Sequence, residues 1–358
     1  MQIVSTAGNG IGIAREERGQ RKRKAAFLND GAAFLEDRHS VVDWVYGCGR
    51  RKQVEALTDC LPAVITLENF FDFIPELNEV EVIFSTWGMP CLSPAHLEQL
   101  PNLRALFFAG GSVSGFARPL LERGVAVVSA WGANAIPVAE FTLGQILLSN
   151  KGYFRTITGY NHPGAYTSHF SGKGNYGETV ALLGMGQVGR KVVEMLRGFS
   201  LEVIAYDPFL SGEEAVKLGV EKVSLQEAFA RGLTVSNHLA DVPATVGMLD
   251  YSLFSSMREG ATFINTGRGV TVVEDDLIRA LSERSDLTAL LDVTHPEPPV
   301  ASSPLYTLPN VRLTPHIAGS KGDEVFRMAD YVIEEFKAWE EGRALRYAVT
   351  LPMLATLA

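Results

Sequence analysis

Cysteine is scarce in this chain of 358 residues: Cys48, Cys60 and Cys91 stand far apart, with no CxxC pair. That spacing indicates neither a zinc site nor a disulfide framework and suits a reducing cytosol. Long apolar runs are also missing. None approaches the roughly 20 residues that a membrane-crossing helix needs, and the N-terminus lacks the basic-then-apolar order of a signal peptide. Positive charge is in deficit, with 32 Lys and Arg against 41 Asp and Glu and a net charge of −9. No general attraction to nucleic acid or anionic lipid follows. Apolar residues, at 46%, are plentiful enough for sizeable cores. At about 150 residues per domain, two domains are expected.

The first glycine-rich stretch is a decoy. QIVSTAGNGIG (Gln2–Gly12) reads as a strand and a phosphate loop, but IAREERGQRKRK follows it. That run has no apolar stripe to pack on a sheet. Residues 1–22 are read as a polar extension, and the basic run Arg21–Lys24 as a solvated face. From KAAFLND (Lys24–Asp30) onward, the apolar runs PAVITL, EVIFST, RALFFAG and VAVVSA alternate with helix-like RKQVEALTDC and SPAHLEQL. Such alternation predicts a parallel sheet covered by helices. Pro137 is expected to start a long helix that links two domains. His162 and His169 lie in a Gly- and Tyr-rich segment without nearby carboxylates and form no metal motif.

The stretch ETVALLGMGQVGRKVVEMLRGFSLEVIAYDP holds Gly184, Gly186 and Gly189 in GxGxxG spacing. A bare GxGxxG is weak, but here the context is complete. A buried strand precedes it, and a helix expected to bury Val188, Val192, Val193 and Leu196 follows. Gly184 allows a tight turn, Gly186 lets backbone approach a pyrophosphate, and Gly189 lets helix and strand pack closely. The helix start offers free N–H groups to phosphates. Asp207 ends the next strand, placed to accept from ribose hydroxyls and to repel a 2′-phosphate. NAD(H) is therefore favoured over NADP(H). Further strand-like runs, LTVSNHLA, GATFINTGRG and DLTALLDV, bring His238, Arg268, Asp292 and His316 to carboxyl ends of strands, where such sheets bind ligands.

ALLGMGQVGRKV, INTGRGVTVVEDDLIRAL, LLDVTHPEPP and LPNVRLTPHIAG, in this order, resemble the motifs of the D-isomer-specific 2-hydroxyacid dehydrogenases. The resemblance is clear over roughly residues 100–345. It implies two similar doubly wound α/β domains with the site in the cleft between them. A flavodoxin-like substrate domain would comprise residues 1–132 and 322–358, and a Rossmann NAD-binding domain residues 133–321. It implies a catalytic set of Arg268, Glu297 and His316. Arg268 can hold a substrate carboxylate through two parallel hydrogen bonds. His316 can exchange the hydroxyl proton, and Glu297 can orient the imidazole and favour its charged form. Arg268 could instead cap a helix or pair with Glu274.

The expected cofactor contacts are Gly184, Gly186, Gln187, Val188, Gly189, Asp207, Pro208, His238, Thr266, Gly267, Asp292 and Gly319, with Asp292 accepting from the nicotinamide amide. The expected substrate contacts are Trp87, Gly88 and Met89 in STWGMP and Gly110 and Gly111 in AGGSVSG, together with Arg268. Trp87 fits a core position equally well. The second loop departs from the family, lacking its acidic and asparagine residues, so the usual substrates do not transfer. The implied partners are a small 2-hydroxy or 2-keto acid and a second copy of the chain, in the cytoplasm; no metal, nucleic acid or membrane is expected. Some similar proteins are NAD(H)-sensing corepressors that keep the same Arg/Glu/His set, and this stands as the second reading.

Overall fold

The computed structural model describes residues 21–31, 40–157, 159–170 and 172–355. The reading of the N-terminal extension falls, up to residue 20, outside them.

Two sheets organise the chain. The first contains β1 (Lys24–Leu28), β2 (Asp59–Ile65), β3 (Val82–Thr86), β4 (Ala105–Ala109) and β5 (Ala126–Ser129). The second contains β6 (Tyr176–Leu183), β7 (Ser200–Tyr206), β8 (Glu221–Lys222), β9 (Thr234–Asn237), β10 (Thr262–Asn265), β11 (Thr288–Leu291) and β12 (Val311–Leu313). The last strand, β13 (Ala348–Val349), returns to the first sheet, where it runs antiparallel beside β5. The orders are β13-β5-β4-β3-β1-β2 and β12-β11-β10-β9-β6-β7-β8, every other pairing being parallel.

Burial explains the composition of these strands. β3, β4, β9, β10 and β11 are buried at every position. Helices cover both faces, so no polar alternation is required. In the second sheet the strand order reverses between β6 and β9, which opens a crevice at their carboxyl ends. The glycine loop and the segment after β9 both emerge there.

Helix Trp131–Asn150 connects the two sheets, and it starts six residues before the expected Pro137. Residues 131–136 already form the first turns, so Pro137 is buried inside the helix rather than at its head. Its missing N–H forfeits only the bond to Ala133, and proline prefers the helical φ. Helix Val325–Glu340 lays Val325, Met328, Val332 and Phe336 into the core of the first sheet, in line with the expected stripe.

Candidate active site

The glycine loop leaves β6 and enters helix Gln187–Leu196. Gly184 has φ +89°, and a β-carbon there would lie 2.7 Å from the His238 carbonyl oxygen. At Gly189 a β-carbon would lie 2.2 Å from the Gly184 carbonyl oxygen, so only glycine allows the helix to sit this close. Gly186 faces open space, and no side chain caps the helix behind it. The first-turn amides are thus left to a ligand, and the loop fits a pyrophosphate. Val192, Val193 and Leu196 are buried as expected, whereas Val188 is half-buried and lines the cleft.

Asp207, just past β7, does more than the sequence indicated. Its Oδ2 accepts from the Met185 amide at 2.7 Å and its Oδ1 from the Phe209 amide at 2.7 Å. The carboxylate therefore shapes the glycine loop. Pro208 beside it is exposed. Asp207→Ala is expected to shift the ratio of kcat/KM for NADH over NADPH by about 10- to 100-fold toward NADPH, the worth of one or two charge-assisted hydrogen bonds and a lost repulsion. Steady-state kinetics with both cofactors checks this, and an unmoved ratio would remove Asp207 from ribose recognition.

At the ends of β9 and β10 two buried asparagines tie together the turns that follow these strands. Asn237 Nδ2 donates to Asn265 Oδ1 at 3.0 Å and to Thr271 Oγ1 at 2.9 Å, while Asn265 Oδ1 also accepts from the Gly267 amide at 3.1 Å. Sequence reading passed over both, although an Asn at each strand end is a turn-forming signal. His238 lines the cleft, with Nε2 3.0 Å from Ser236 Oγ and Nδ1 3.3 Å from Thr266 Oγ1. Burial pushes its pKa down to about 4.

This depression has a stability consequence. The unfolded imidazole, near pKa 6.5, takes up a proton before the folded one does. His238 thus costs no stability above that value, and it destabilises the fold progressively as pH falls from about 6.5 toward 4. The Tm should therefore drop over this window, and His238→Gln should flatten the drop. Calorimetry across pH decides, an unchanged slope contradicting the assignment.

Arg268 follows β10 and reaches into a cavity of about 200 Å³ between the two halves of the chain. Thr266 and Gly267 line the same cavity, as do Gly111, Trp131 and Asn134 from the other side. The Arg268 side chain makes one hydrogen bond among the described residues, from Nη1 to the Gly267 carbonyl at 2.8 Å, and no ion pair. Glu274 is instead engaged by the His295 amide at 3.2 Å, so the alternative pairing is not formed. Desolvation lowers the Arg268 pKa, opposed by the charges of Asp241 and Glu297. A partly desolvated guanidinium without a carboxylate partner among the described residues has the chemistry to receive an anion.

His316 lies in the loop after β12, with φ +53° and Nδ1 2.7 Å from Glu297 Oε1. Both side chains are about half exposed, at 51% and 43%. The loop is held by Asp292, which is 2% exposed. Asp292 Oδ1 accepts from Thr314 Oγ1 at 2.6 Å and from the Ile317 amide at 2.8 Å, and Oδ2 accepts from the Ala318 amide at 2.9 Å. The expectation that Asp292 receives the nicotinamide amide is corrected to that extent: this buried carboxylate is taken up by the loop that carries His316.

Past Gly319, the Ser320 amide and hydroxyl both donate to Asn134 Oδ1, at 3.0 and 2.9 Å. Asn134 Nδ2 also stands 3.2 Å from where a β-carbon of Gly111 would be. One residue of the connecting helix thus holds the end of the His316 loop and leaves no room for a side chain at Gly111 without a shift. Its signal, one Asn in WGANAIP, is invisible without the tertiary contact.

The expected substrate residues separate. Gly111 lines the cavity, whereas Met89 is packed in the core of the first domain. Its segment turns inward because the Met89 amide closes a tight turn onto the Thr86 carbonyl at 3.0 Å. Trp87 packs against Trp44 with ring centroids 6.0 Å apart. Gly88 and Gly110 serve backbone packing: a β-carbon at Gly88 would lie 2.3 Å from Gly31 Cα, and one at Gly110 2.5 Å from the Phe108 ring.

A parallel sheet, a glycine turn at a helix start and a carboxylate ending the next strand define a dinucleotide-binding α/β protein whose cleft holds an arginine without an ion pair among the described residues. Residues 149–318 match the family described as D-isomer specific 2-hydroxyacid dehydrogenase, NAD binding domain, and this segment belongs to it. The cofactor of this domain is NAD(H). The chain is 29% identical over 259 residues to a D-3-phosphoglycerate dehydrogenase of Archaeoglobus fulgidus, covering 72% of this chain and 49% of that protein. It is 30% identical over 258 residues to the protein of the same name from Methanocaldococcus jannaschii, covering 72% and 49%. The chain thus spans about half the length of these curated relatives. The fold is that of apo D-mandelate dehydrogenase from Rhodotorula graminis, with TM-score 0.74 and 23% identity over 92% of this chain and 97% of that one.

Proposed function

We propose that the chain is an NAD-dependent oxidoreductase that interconverts a D-2-hydroxy acid and its 2-keto acid. The observation that carries this is Arg268, a partly desolvated cation with no ion-pair partner among the described residues, in a cleft shared with the dinucleotide loop. Residues 133–321 would form the NAD-binding domain, and residues 1–132 with 322–358 the substrate domain. When bound, NAD supplies the hydride acceptor for oxidation and NADH the donor for reduction. Gly184, Gly186, Gln187, Val188 and Gly189 would hold its pyrophosphate, Asp207 and Pro208 the adenosine side, and His238, Thr266, Gly267 and Gly319 the nicotinamide side.

Arg268 would clamp the substrate carboxylate and so fix C2 against the ring. His316 would hold the proton of the C2 oxygen, taking it in oxidation and returning it in reduction. Glu297, at hydrogen-bond distance from Nδ1, would present Nε2 to that oxygen and stabilise the imidazolium. Reduction of a 2-keto acid with NADH followed by chiral chromatography tests the reading. The D-hydroxy acid is expected, and the L-enantiomer or a racemate would overturn it.

Two coarser features have their own support. No helix among the described residues is long and apolar enough to cross a membrane. Cys48, Cys60 and Cys91 are free thiols, which supports a cytoplasmic location. A homodimer is proposed because Ile157, Tyr160, Tyr166 and Tyr176 lie exposed close together in sequence. Sedimentation equilibrium at twice the chain mass would agree, and a monomer at all concentrations would not.

A further inference from the structure

A 2-keto acid offers the cleft a carboxylate, a keto oxygen and a side group. The first two are met by Arg268 and His316 on the reading above, which leaves the side group to the remaining wall. Arg268 is the one cation that lines the cavity among the described residues. A phosphorylated acid would bring a second anion of about −1.5 to −2 charge, which needs cations of its own. The surroundings supply the opposite. Asp241 and Glu297 stand close enough to act on the Arg268 charge. The described loops leaving the carboxyl ends of β1 to β4, at 29–31, 66–69, 87–92 and 110–115, contain Asp30 and Glu68 and neither lysine nor arginine.

The wall itself is apolar. Trp131 lines the cavity at the head of the connecting helix, followed one face along by Ala135 and Val138, with Leu239 across from them. Its indole is half-buried and packs edge-on against Tyr347, with ring centroids 6.0 Å apart. A ring fixed from behind presents a rigid face to a ligand. Gly111 beside it adds no side chain, which leaves room for a substituent.

We propose that the substrate is an unphosphorylated 2-hydroxy or 2-keto acid with a bulky apolar side group, and that Trp131 receives this group and sets the preference. The inference deepens the dehydrogenase reading and rests on it. Its test is NADH oxidation with phenylpyruvate, 4-methyl-2-oxopentanoate, glyoxylate and phosphohydroxypyruvate as probes. The better of the two apolar acids should exceed phosphohydroxypyruvate in kcat/KM by about 100-fold, since a buried anion without a partner is rejected strongly.

Trp131→Ala should lower kcat/KM for that apolar acid about tenfold more than for glyoxylate, which has no side group to lose. If that variant does not fold, Trp131→Phe keeps a ring against Tyr347 and should show the same ratio change, about threefold. A best rate on phosphohydroxypyruvate, or an equal loss on both acids in the Trp131 variants, would overturn this proposal and leave the dehydrogenase reading standing. No turnover on any of the four would instead defeat the dehydrogenase reading, and this proposal with it.

Discussion

His316→Asn lowers kcat for 2-keto-acid reduction by about 10²–10⁴-fold, the usual worth of a positioned acid–base group, while the Kd for NADH moves less than about threefold. Asparagine is the informative replacement because His316 has φ +53°, a left-handed conformation that asparagine tolerates better than alanine does. The loop should keep its place, since Asp292 holds it through Thr314, Ile317 and Ala318 rather than through the imidazole. A loss of activity therefore reports the missing proton carrier and not a collapsed loop. Glu297→Gln should give a smaller fall, about 10- to 100-fold, because an amide can still orient the ring but no longer stabilises its cationic form. If His316→Asn retains wild-type kcat, proton transfer belongs to another group.

The second large effect is at Arg268. Arg268→Gln is expected to raise KM for the keto acid by about 10- to 100-fold and to lower kcat as well, the cost of losing a charge-assisted, bidentate contact that also aligns C2. Arg268→Lys should restore only part of this, since a point charge cannot reproduce the planar fork. Stability separates this role from a structural one. The guanidinium is desolvated, has no ion pair among the described residues and spends one hydrogen bond on Gly267. Removing a partly buried charge of that kind should leave Tm unchanged or raise it. A Tm several degrees lower in Arg268→Gln, with KM unmoved, would make Arg268 a packing residue.

Local signals carried much of this reading. The alternation of buried strands and amphipathic helices was legible because strands covered on both faces read as continuous apolar runs, as ALFFA does in β4. The glycine loop was legible because each glycine meets a local demand, at Gly184 a positive φ and at Gly189 contact with the Gly184 carbonyl. The His316–Glu297 contact spans 19 positions and came from motif resemblance, since nothing in the residues alone pairs them. Where partners are distant and polar, the sequence was silent. Asn134 meets Ser320 across 186 positions. Asp292 looks the same on paper whether it receives a ligand or a loop, and only the direction of the Ile317 and Ala318 amides decides. Met89 is core rather than a substrate contact for a similar reason: hydrophobicity shows that a side chain leaves water, but not whether a core or a cleft receives it. Pro137 misled because proline marks helix starts on average, while a helix interior can accept it for one lost hydrogen bond.

On the proposed function, one cleft would bring together NADH, an anchored carboxylate and the His316 proton. The most direct measurement is loss of NADH absorbance with the 2-keto-acid panel, run on the wild-type protein and on His316→Asn, with NADH binding followed by fluorescence in both. The expected result is turnover by the wild type, at least about 100-fold less in the variant, and equal NADH affinity. Tight NADH binding with no turnover of any acid by the wild type would contradict it and would leave a protein that senses its cofactor without spending it.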